Sequence, residues 1–287
     1  MVTAAAQSAL TISVGSHQRP VPAAFADSAS GSAASPATAQ HASLTVILPV
    51  FNESATLPNT LATVTEYAAR FPDLFFVFVD DGSTDDTFSI LATSVPAWTA
   101  AVAQLVPVSF MSYPQNRGKG HAIAAAVKSV CTDLVCFIDG DLAYDLDHLP
   151  AIIAALLRSD IVIGTRKESP AERKNTKKLR RFMGFVFNGM VRVGMRLPYE
   201  DTQAGIKGFH TIAARTIFSR TRLRGFAFDV EVLYLARRHG FTVSEISARV
   251  GRSHRAKPSN VNLLLEPLRM ARDLATIRIN SLLGRYR

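Results

Sequence analysis

From Ser43 onward the chain alternates short, mainly apolar runs with segments whose apolar positions recur every three to four residues. The runs are Leu44–Val50 (LTVILPV), Leu74–Val79 (LFFVFV), Val106–Tyr113, Leu134–Ile138 (LVCFI) and Ile161–Gly164. Runs this short, rich in β-branched and aromatic residues, predict buried strands. Leu57, Leu61, Val64, Tyr67, Ala68 and Phe71 fall at helical spacing over 55–71. Residues 85–94, the Ala-rich Gly120–Val130 and a stretch near 147–157 also read as helices. Ser83 or Thr84 is expected to cap the helix of 85–94, with Asp85 and Asp86 in its favourable first turn. Strands alternating with helices, each strand apolar on both faces, predict an α/β fold with a mostly parallel sheet covered on both sides.

The period changes after Arg166. Residues 173–181 (RKNTKKLRR) hold six basic residues in nine, and Phe182, Phe185, Val186, Met190 and Val193 follow as an apolar stripe. That pattern predicts a basic amphipathic helix over 173–195. A loop at 201–205, a short strand, helices near 211–219 and 228–239, a strand at 242–249 and a last helix within 261–283 complete the reading. Residues 1–42 contain thirteen alanines and almost no charge or apolar period, which predicts a disordered tail. The expected organisation is therefore a tail over 1–42, one domain over 43–260 and a C-terminal amphipathic helix over 261–287. No uncharged apolar run is long enough to predict a transmembrane helix, and no signal peptide is expected. The two cysteines, Cys131 and Cys136, exclude a disulfide scaffold and are expected to be small buried hydrophobes. The seven histidines show no ligand spacing.

The net charge of +9 is unevenly spread: −8 across 44–165, +7 across 166–214 and +10 across 215–287. An acidic first half and a basic second half suggest carboxylates that hold a cation and cations that face something anionic. A nucleic-acid-binding role would not explain the acidic half, so no nucleic-acid partner is expected. Each acidic cluster falls at the carboxyl end of a predicted strand, where open α/β sheets bind ligands. Asp139 and Asp141 at the end of one strand repel unless a cation lies between them. Hard divalent ions take carboxylate oxygens and leave positions for substrate phosphates. Gly140 between them permits close approach. Asp80 and Asp81 open a turn (DDGSTD), and a carboxylate at a strand end can accept N–H bonds from a nucleobase edge. Phe51, after Pro49 and before Glu53, offers a ring for base stacking. Asn116-Arg117-Gly118-Lys119-Gly120 precedes a helix and suits a phosphate or ribose contact.

Taken in order, PVFNE, VDDGSTD, NRGKG and an apolar strand running into DGD resemble the family 2 glycosyltransferases of GT-A (Rossmann-like) fold. DGDLAYD at Asp139–Asp145, GTR at Gly164–Arg166, DTQAGIKGF at Asp201–Phe209 and RGFAFDVEVLYLA at Arg224–Ala236 resemble the dolichyl-phosphate glucosyltransferase branch. The resemblance spans residues 43–260. It implies an inverting hexosyltransferase with a nucleotide-sugar donor, UDP-glucose, and a divalent metal, Mg2+ or Mn2+. It implies a polyprenyl- or dolichyl-phosphate acceptor reached from an anionic membrane surface, and so a cytoplasmic protein held peripherally on the membrane's cytoplasmic face. Pro49, Phe51, Glu53, Asp80 and Asp81 would line the nucleoside pocket, with Lys119, Asp139 and Gly140 beside it. Asp141, with Asp139, would ligate the metal. Arg166, Arg180 and Arg181 would approach the acceptor phosphate, and Asp201, Thr202 and Gln203 would form a loop over the sugar. Ala143 stands where the mannosyl branch usually has Gln, which favours glucose. Ala204 replaces a common Cys, and residues 255–259 depart from a phosphate-contacting segment. GDP-mannose as donor, or a soluble hydroxyl acceptor, remain alternatives. A hydroxyl acceptor needs a base, for which Asp229 is the candidate; otherwise Asp229 is a structural carboxylate paired with Arg224.

Overall fold

The structure, a computed structural model, describes residues 42–99, 106–166, 189–225, 227–250 and 266–287. Seven strands form one sheet: β1 (Leu44–Val50), β2 (Leu74–Asp80), β3 (Val108–Ser112), β4 (Leu134–Ile138), β5 (Ile161–Arg166), β6 (Ile206–His210) and β7 (Val243–Ala248). Their spatial order is β3-β2-β1-β4-β6-β5-β7. The helices are α1 (Leu57–Arg70), α2 (Thr87–Ser94), α3 (Lys119–Val127), α4 (Leu149–Leu156), α5 (Thr211–Phe218), α6 (Phe228–Arg238) and α7 (Glu266–Leu282). Residues 189–195 are also helical. The expected α/β architecture, a mostly parallel sheet with helices on both faces, is what forms.

Alternation along the strands explains the two cores. Ile47, Val77, Val79, Val135 and Phe137 point to one face and pack with α3, α5, α6 and α7. Leu44, Val46, Leu48, Phe76, Phe78, Leu134 and Cys136 point to the other and pack with α1 and α4. Successive residues of a strand face opposite sides, so a strand buried on both must be apolar throughout. β7, at the edge, is only half-buried along most of its length.

Strand direction determines what the sheet gathers at one edge. β1 pairs parallel with β2 and β4, so their carboxyl ends lie side by side. β6 was expected only as a short strand; it runs antiparallel to both β4 and β5. Its beginning therefore lies beside the end of β4, with Ile138 opposite Ile206. The loop before β6 and the end of β5 consequently join the same edge as the acidic turns.

Two local expectations are corrected. Ser83 and Thr84 do not cap α2, which starts at Thr87. Instead the Ser83 Oγ accepts from the Asn52 amide at 3.0 Å, and the Thr84 amide donates to Asn52 Oδ1 at 2.8 Å. Asn52 adopts a left-handed φ of 53°, and these bonds hold it there. Cys131 is exposed; only Cys136 is buried. The segment expected to be helical over 173–195 lies within the described residues only from 189. Among the described residues no helix is long and apolar enough to cross a membrane.

The chain end is anchored from inside. The Glu231 carboxylate, fully buried on α6, accepts from the Arg222 and Leu223 amides at 2.9 Å each and from the Tyr286 hydroxyl at 2.5 Å. Burial pushes the Glu231 carboxyl above its ordinary range, and the three donors oppose that rise. Removing one donor to a buried acceptor costs about 1–3 kcal/mol. Tyr286→Phe is expected to lower the unfolding free energy by about that amount in urea titration; an unchanged midpoint would show that the chain end is not held this way.

Candidate active site

A cleft of about 280 Å3 opens at the carboxyl edge of the sheet. Pro49, Val50, Phe51 and Glu53 come from the end of β1, and Asp81 from the end of β2. Lys119 comes from the start of α3, and Asp139, Gly140, Asp141 and Ala143 from the turn after β4. The strand order reverses at β1, between β2 and β4, which is where such sheets leave a crevice. Most of the expected donor-side residues are thus brought together.

Asp80 is the exception. It is buried and does not line the cleft. Its Oδ1 accepts from the Ser83 amide and its Oδ2 from the Ser112 hydroxyl, each at 3.0 Å, so it shapes its own turn and ties β2 to β3. Asp81 takes the place in the cleft. Its carboxylate accepts from the Tyr113 hydroxyl at 2.6 Å and from the Arg117 and Gly118 amides at 2.8 and 2.7 Å. Those bonds fix the Asn116–Gly120 loop against the end of β2. Phe51 is 43% exposed, leaving a ring face open to solvent. Glu53 is fixed by the Thr56 hydroxyl, which donates to its Oε2 at 2.6 Å.

The Asp139–Asp141 turn is packed from two sides. A Cβ on Gly140 would fall 2.4 Å from the Pro49 carbonyl oxygen, and one on Gly205 would fall 1.7 Å from Asp139 Oδ2. The backbones of β1 and of the loop before β6 approach so closely that neither position admits a side chain. The Asp139 amide donates to the Gly205 carbonyl at 3.1 Å, and the Ala143 amide donates to Asp141 Oδ1 at 3.1 Å. Lys119 Nζ donates to Asp139 Oδ1 at 2.6 Å. Two carboxylates one residue apart on a solvent-open wall form an all-oxygen donor set of the kind a hard divalent ion takes when a substrate supplies the remaining oxygens. The chemistry of this pair suits a metal, while Asp139 is ion-paired with Lys119, no third Asp, Glu, His or Cys completes a cluster among the described residues, and Ala143 adds no oxygen of its own.

Beneath the turn lies a buried charge chain that the sequence analysis missed. Lys207, on β6, is fully buried. Its Nζ donates to the Ala204 carbonyl at 2.7 Å and to Asp229 Oδ1 at 2.6 Å. Lys119 and Lys207 both lie against the Phe137 ring, 5.2 and 5.4 Å from its centroid. Burial depresses the Lys207 ammonium below its ordinary value against the pull of Asp229. Burial works on Lys119 too, but Asp139 and then Asp229 outweigh it and hold that ammonium above its ordinary value. Asp229, the candidate base, is paired with Lys207 rather than Arg224, and does not line the cleft. The signal available in the sequence was a lone cation inside the apolar strand Ile206–Phe209. A buried cation requires a counter-charge.

On the other flank, Arg166 at the end of β5 grips Asp201. Arg166 Nε donates to Oδ2 at 2.6 Å and its terminal nitrogen to Oδ1 at 3.2 Å. Burial raises the Asp201 carboxyl, but the Arg166 guanidinium more than offsets it and holds the group below its ordinary range. The Gln203 amide donates to Asp201 Oδ1 at 3.0 Å, and the Thr202 hydroxyl is buried with no hydrogen-bond partner among the described residues. Tyr144, also unforeseen, is buried nearby, and burial pushes its phenol up to about 12. Arg180, Arg181 and residues 255–259 lie outside the described residues.

Comparisons agree with this geometry. Residues 45–222 match the family described as glycosyl transferase family 2. A dolichyl-phosphate beta-glucosyltransferase of Trichomonas vaginalis is 27% identical over 215 residues, covering 70% of this chain and 62% of that protein. A dolichyl-phosphate beta-glucosyltransferase of Drosophila melanogaster is 30% identical over 258 residues, covering 85% of this chain and 77% of that protein. Among solved structures, glucosyl-3-phosphoglycerate synthase from Mycobacterium tuberculosis, in complex with Mn2+ and UDP-glucose, superposes with a TM-score of 0.54. That match has 20% identity and covers 85% of this chain and 79% of that one.

Lys207→Met leaves Asp229 buried without its counter-charge. It is expected to cost about 3–5 kcal/mol in equilibrium unfolding, and a loss below measurement error would refute the pairing. The lowered carboxyl of Asp201 makes a second prediction. Its contribution to stability is present above the unfolded carboxylate value and lost as pH falls through the lower folded value. Asp201→Asn should therefore flatten the acid limb of the stability profile below about pH 4; an unaltered limb would count against it. Motifs, cleft and matched family agree: the chain belongs to glycosyl transferase family 2 and is a glycosyltransferase of GT-A-like fold.

Proposed function

We propose that the protein transfers glucose from UDP-glucose to a polyprenyl or dolichyl phosphate, with inversion at the anomeric carbon and with a divalent metal bound. The observation that carries this reading is the single cleft shared by Phe51, Glu53, Asp81, Lys119, Asp139 and Asp141. The dolichyl-phosphate glucosyltransferase relatives support the acceptor and the sugar. The solved neighbour with Mn2+ and UDP-glucose supports the donor and the metal class.

The roles follow from position. The open ring of Phe51 offers a stacking face to the base, and Asp81, pinned by three donors, presents carboxylate oxygen to its edge. Asp139 and Asp141 would hold the metal, which when bound supplies electrostatic stabilisation to the diphosphate leaving group. Lys119 adds a fixed positive charge on the same wall. The Thr202 hydroxyl, buried without a partner among the described residues, offers a hydrogen bond to a sugar hydroxyl. Arg166, half-exposed and oriented by Asp201, would offer its guanidinium to the acceptor phosphate; Arg180 and Arg181 are assigned the same role by the motif alone. A phosphate monoester acceptor has a second pKa near ~6 and is mostly dianionic at neutral pH, so it needs cations rather than a base. A lipid-linked acceptor would be met at the cytoplasmic face of an anionic membrane, to which the basic second half is suited.

Asp141→Asn is expected to abolish turnover of UDP-glucose with polyprenyl phosphate and to remove the Mn2+-dependent rise in melting temperature on adding UDP-glucose, with the fold intact by circular dichroism. Retained turnover would refute the metal role. A thermal response to GDP-mannose but not UDP-glucose, or transfer to soluble sugars or glycerate in preference to the lipid phosphate, would overturn the substrate assignment.

A further inference from the structure

A second hollow, of about 610 Å3, lies where residues 192–198 meet the last turn of α6. It is lined by Arg192, Val193, Arg196, Leu197, Pro198 and Arg237, none of which lines the donor cleft. Three of the six are guanidiniums and none is a carboxylate. Arg192 Nε donates to the Tyr199 carbonyl at 3.4 Å. Among the described residues neither Arg196 nor Arg237 is in an ion pair. The nearby acid Glu245 is otherwise engaged: its Oε2 accepts from the Thr165 hydroxyl at 2.7 Å and the Glu200 amide at 3.2 Å. Arg196 ends the helix of residues 189–195 in a left-handed conformation, φ 55°, where glycine or asparagine would be unstrained.

The rim is apolar. Val193 is 81% exposed. α7 runs against the same segment, its Arg278 Nε donating to the Gly194 carbonyl at 2.8 Å. Cations gathered in a hollow with a bare aliphatic side chain at its rim match a membrane interface, where phosphates lie just above acyl chains. Guanidinium binds phosphate oxygens in a two-pronged geometry. No aromatic lines the hollow, so it lacks the stacking platform that single-stranded nucleic acid takes.

We infer that the hollow formed by Arg192, Arg196 and Arg237 is a head-group site for an anionic phospholipid, separate from the donor cleft, that holds the enzyme on the membrane in a fixed orientation. Arg237 stands eight residues beyond Asp229 on α6, about 12 Å along the helix axis. The inference deepens the proposed lipid-linked acceptor and takes its purpose from that reading, but the binding itself requires neither donor nor acceptor.

The test is flotation of the full chain with phosphatidylcholine vesicles, with and without phosphatidylglycerol, in the absence of any nucleotide sugar. The wild type is expected to float only with the anionic vesicles. Each cation close to an anionic surface contributes about fivefold, so the triple change Arg192→Gln, Arg196→Gln, Arg237→Gln should weaken vesicle binding about a hundredfold. The thermal response to UDP-glucose should not change. Arg196→Gly guards against a folding defect: it relieves the left-handed residue, so the variant should be at least as stable as wild type yet bind vesicles more weakly. Undiminished flotation of a folded variant would overturn the site. So would displacement from vesicles by inorganic phosphate when chloride of equal ionic strength does not displace, which would mark a free-phosphate site, or binding to single-stranded RNA without vesicle binding. Absent turnover of UDP-glucose with vesicle binding intact would sink the substrate reading and leave this site standing.

Discussion

The mouth of the cleft depends on one buried ammonium. Lys207 is sealed in the sheet with Asp229 and the Ala204 carbonyl as its partners. An ion so placed costs several kcal/mol unless its counter-charge and remaining hydrogen bonds are supplied. Meeting that requirement fixes three elements at once: the first turn of α6 through Asp229, the loop before β6 through Ala204, and the start of β6 itself. Phe137, near the end of β4, is the ring against which both Lys207 and Lys119 lie. The two lysines respond in opposite directions. Lys207, wholly enclosed and near a second cation, is depressed, whereas Lys119, between Asp139 and Asp229, is held up. The cleft wall is thereby set on a four-charge frame whose geometry precedes any ligand.

The antiparallel β6 is what allows that frame to close. Parallel strands alone would place the loop before β6 at the opposite edge, and Asp201, Thr202 and Gln203 with it. Reversal puts Gly205 against Asp139 and brings Arg166, at the end of the neighbouring β5, onto Asp201. The first half of the chain thus supplies an acidic wall and the second half a cationic flank, and they meet because one short strand runs backward.

This distribution explains what could be read from the chain. The strands and most helices announced themselves through period, because burial on one face or two leaves a direct trace in residue type. The acidic turns could be placed at one edge because consecutive parallel strands share a direction. Orientation of β6 left no such trace: the apolar positions of Ile206–Phe209 read the same in either direction. Asp80 and Asp81 were equivalent as sequence; only the pairing of β2 with β3 turns the first to Ser112 and the second to the cleft. Ser83 and Thr84 looked like helix caps, yet their stronger partner is Asn52, thirty-one and thirty-two residues earlier. Local propensity yields wherever a distant backbone group is left needing a bond. Lys207 was visible as a cation in an apolar strand, but its partner Asp229 comes from α6, a carboxylate whose expected partner was Arg224.

The same buried pair bears on the chemistry of the acceptor. A hydroxyl nucleophile must give up its proton, and Asp229 is the carboxylate for that task. Taking the proton would discharge Asp229 and leave the Lys207 ammonium enclosed without a counter-charge, at the cost that breaking a buried pair entails. The residue is also off the cleft lining, so the proton would need a relay to reach it. A phosphate monoester makes neither demand: it arrives as an anion and asks only for positive charge. The flank that Arg166 and Asp201 build offers that charge, held in place by a two-pronged ion pair. Burial of Lys207 thus argues for Asp229 as a positioning group and accords with the proposed phosphate acceptor, which carries its own negative charge.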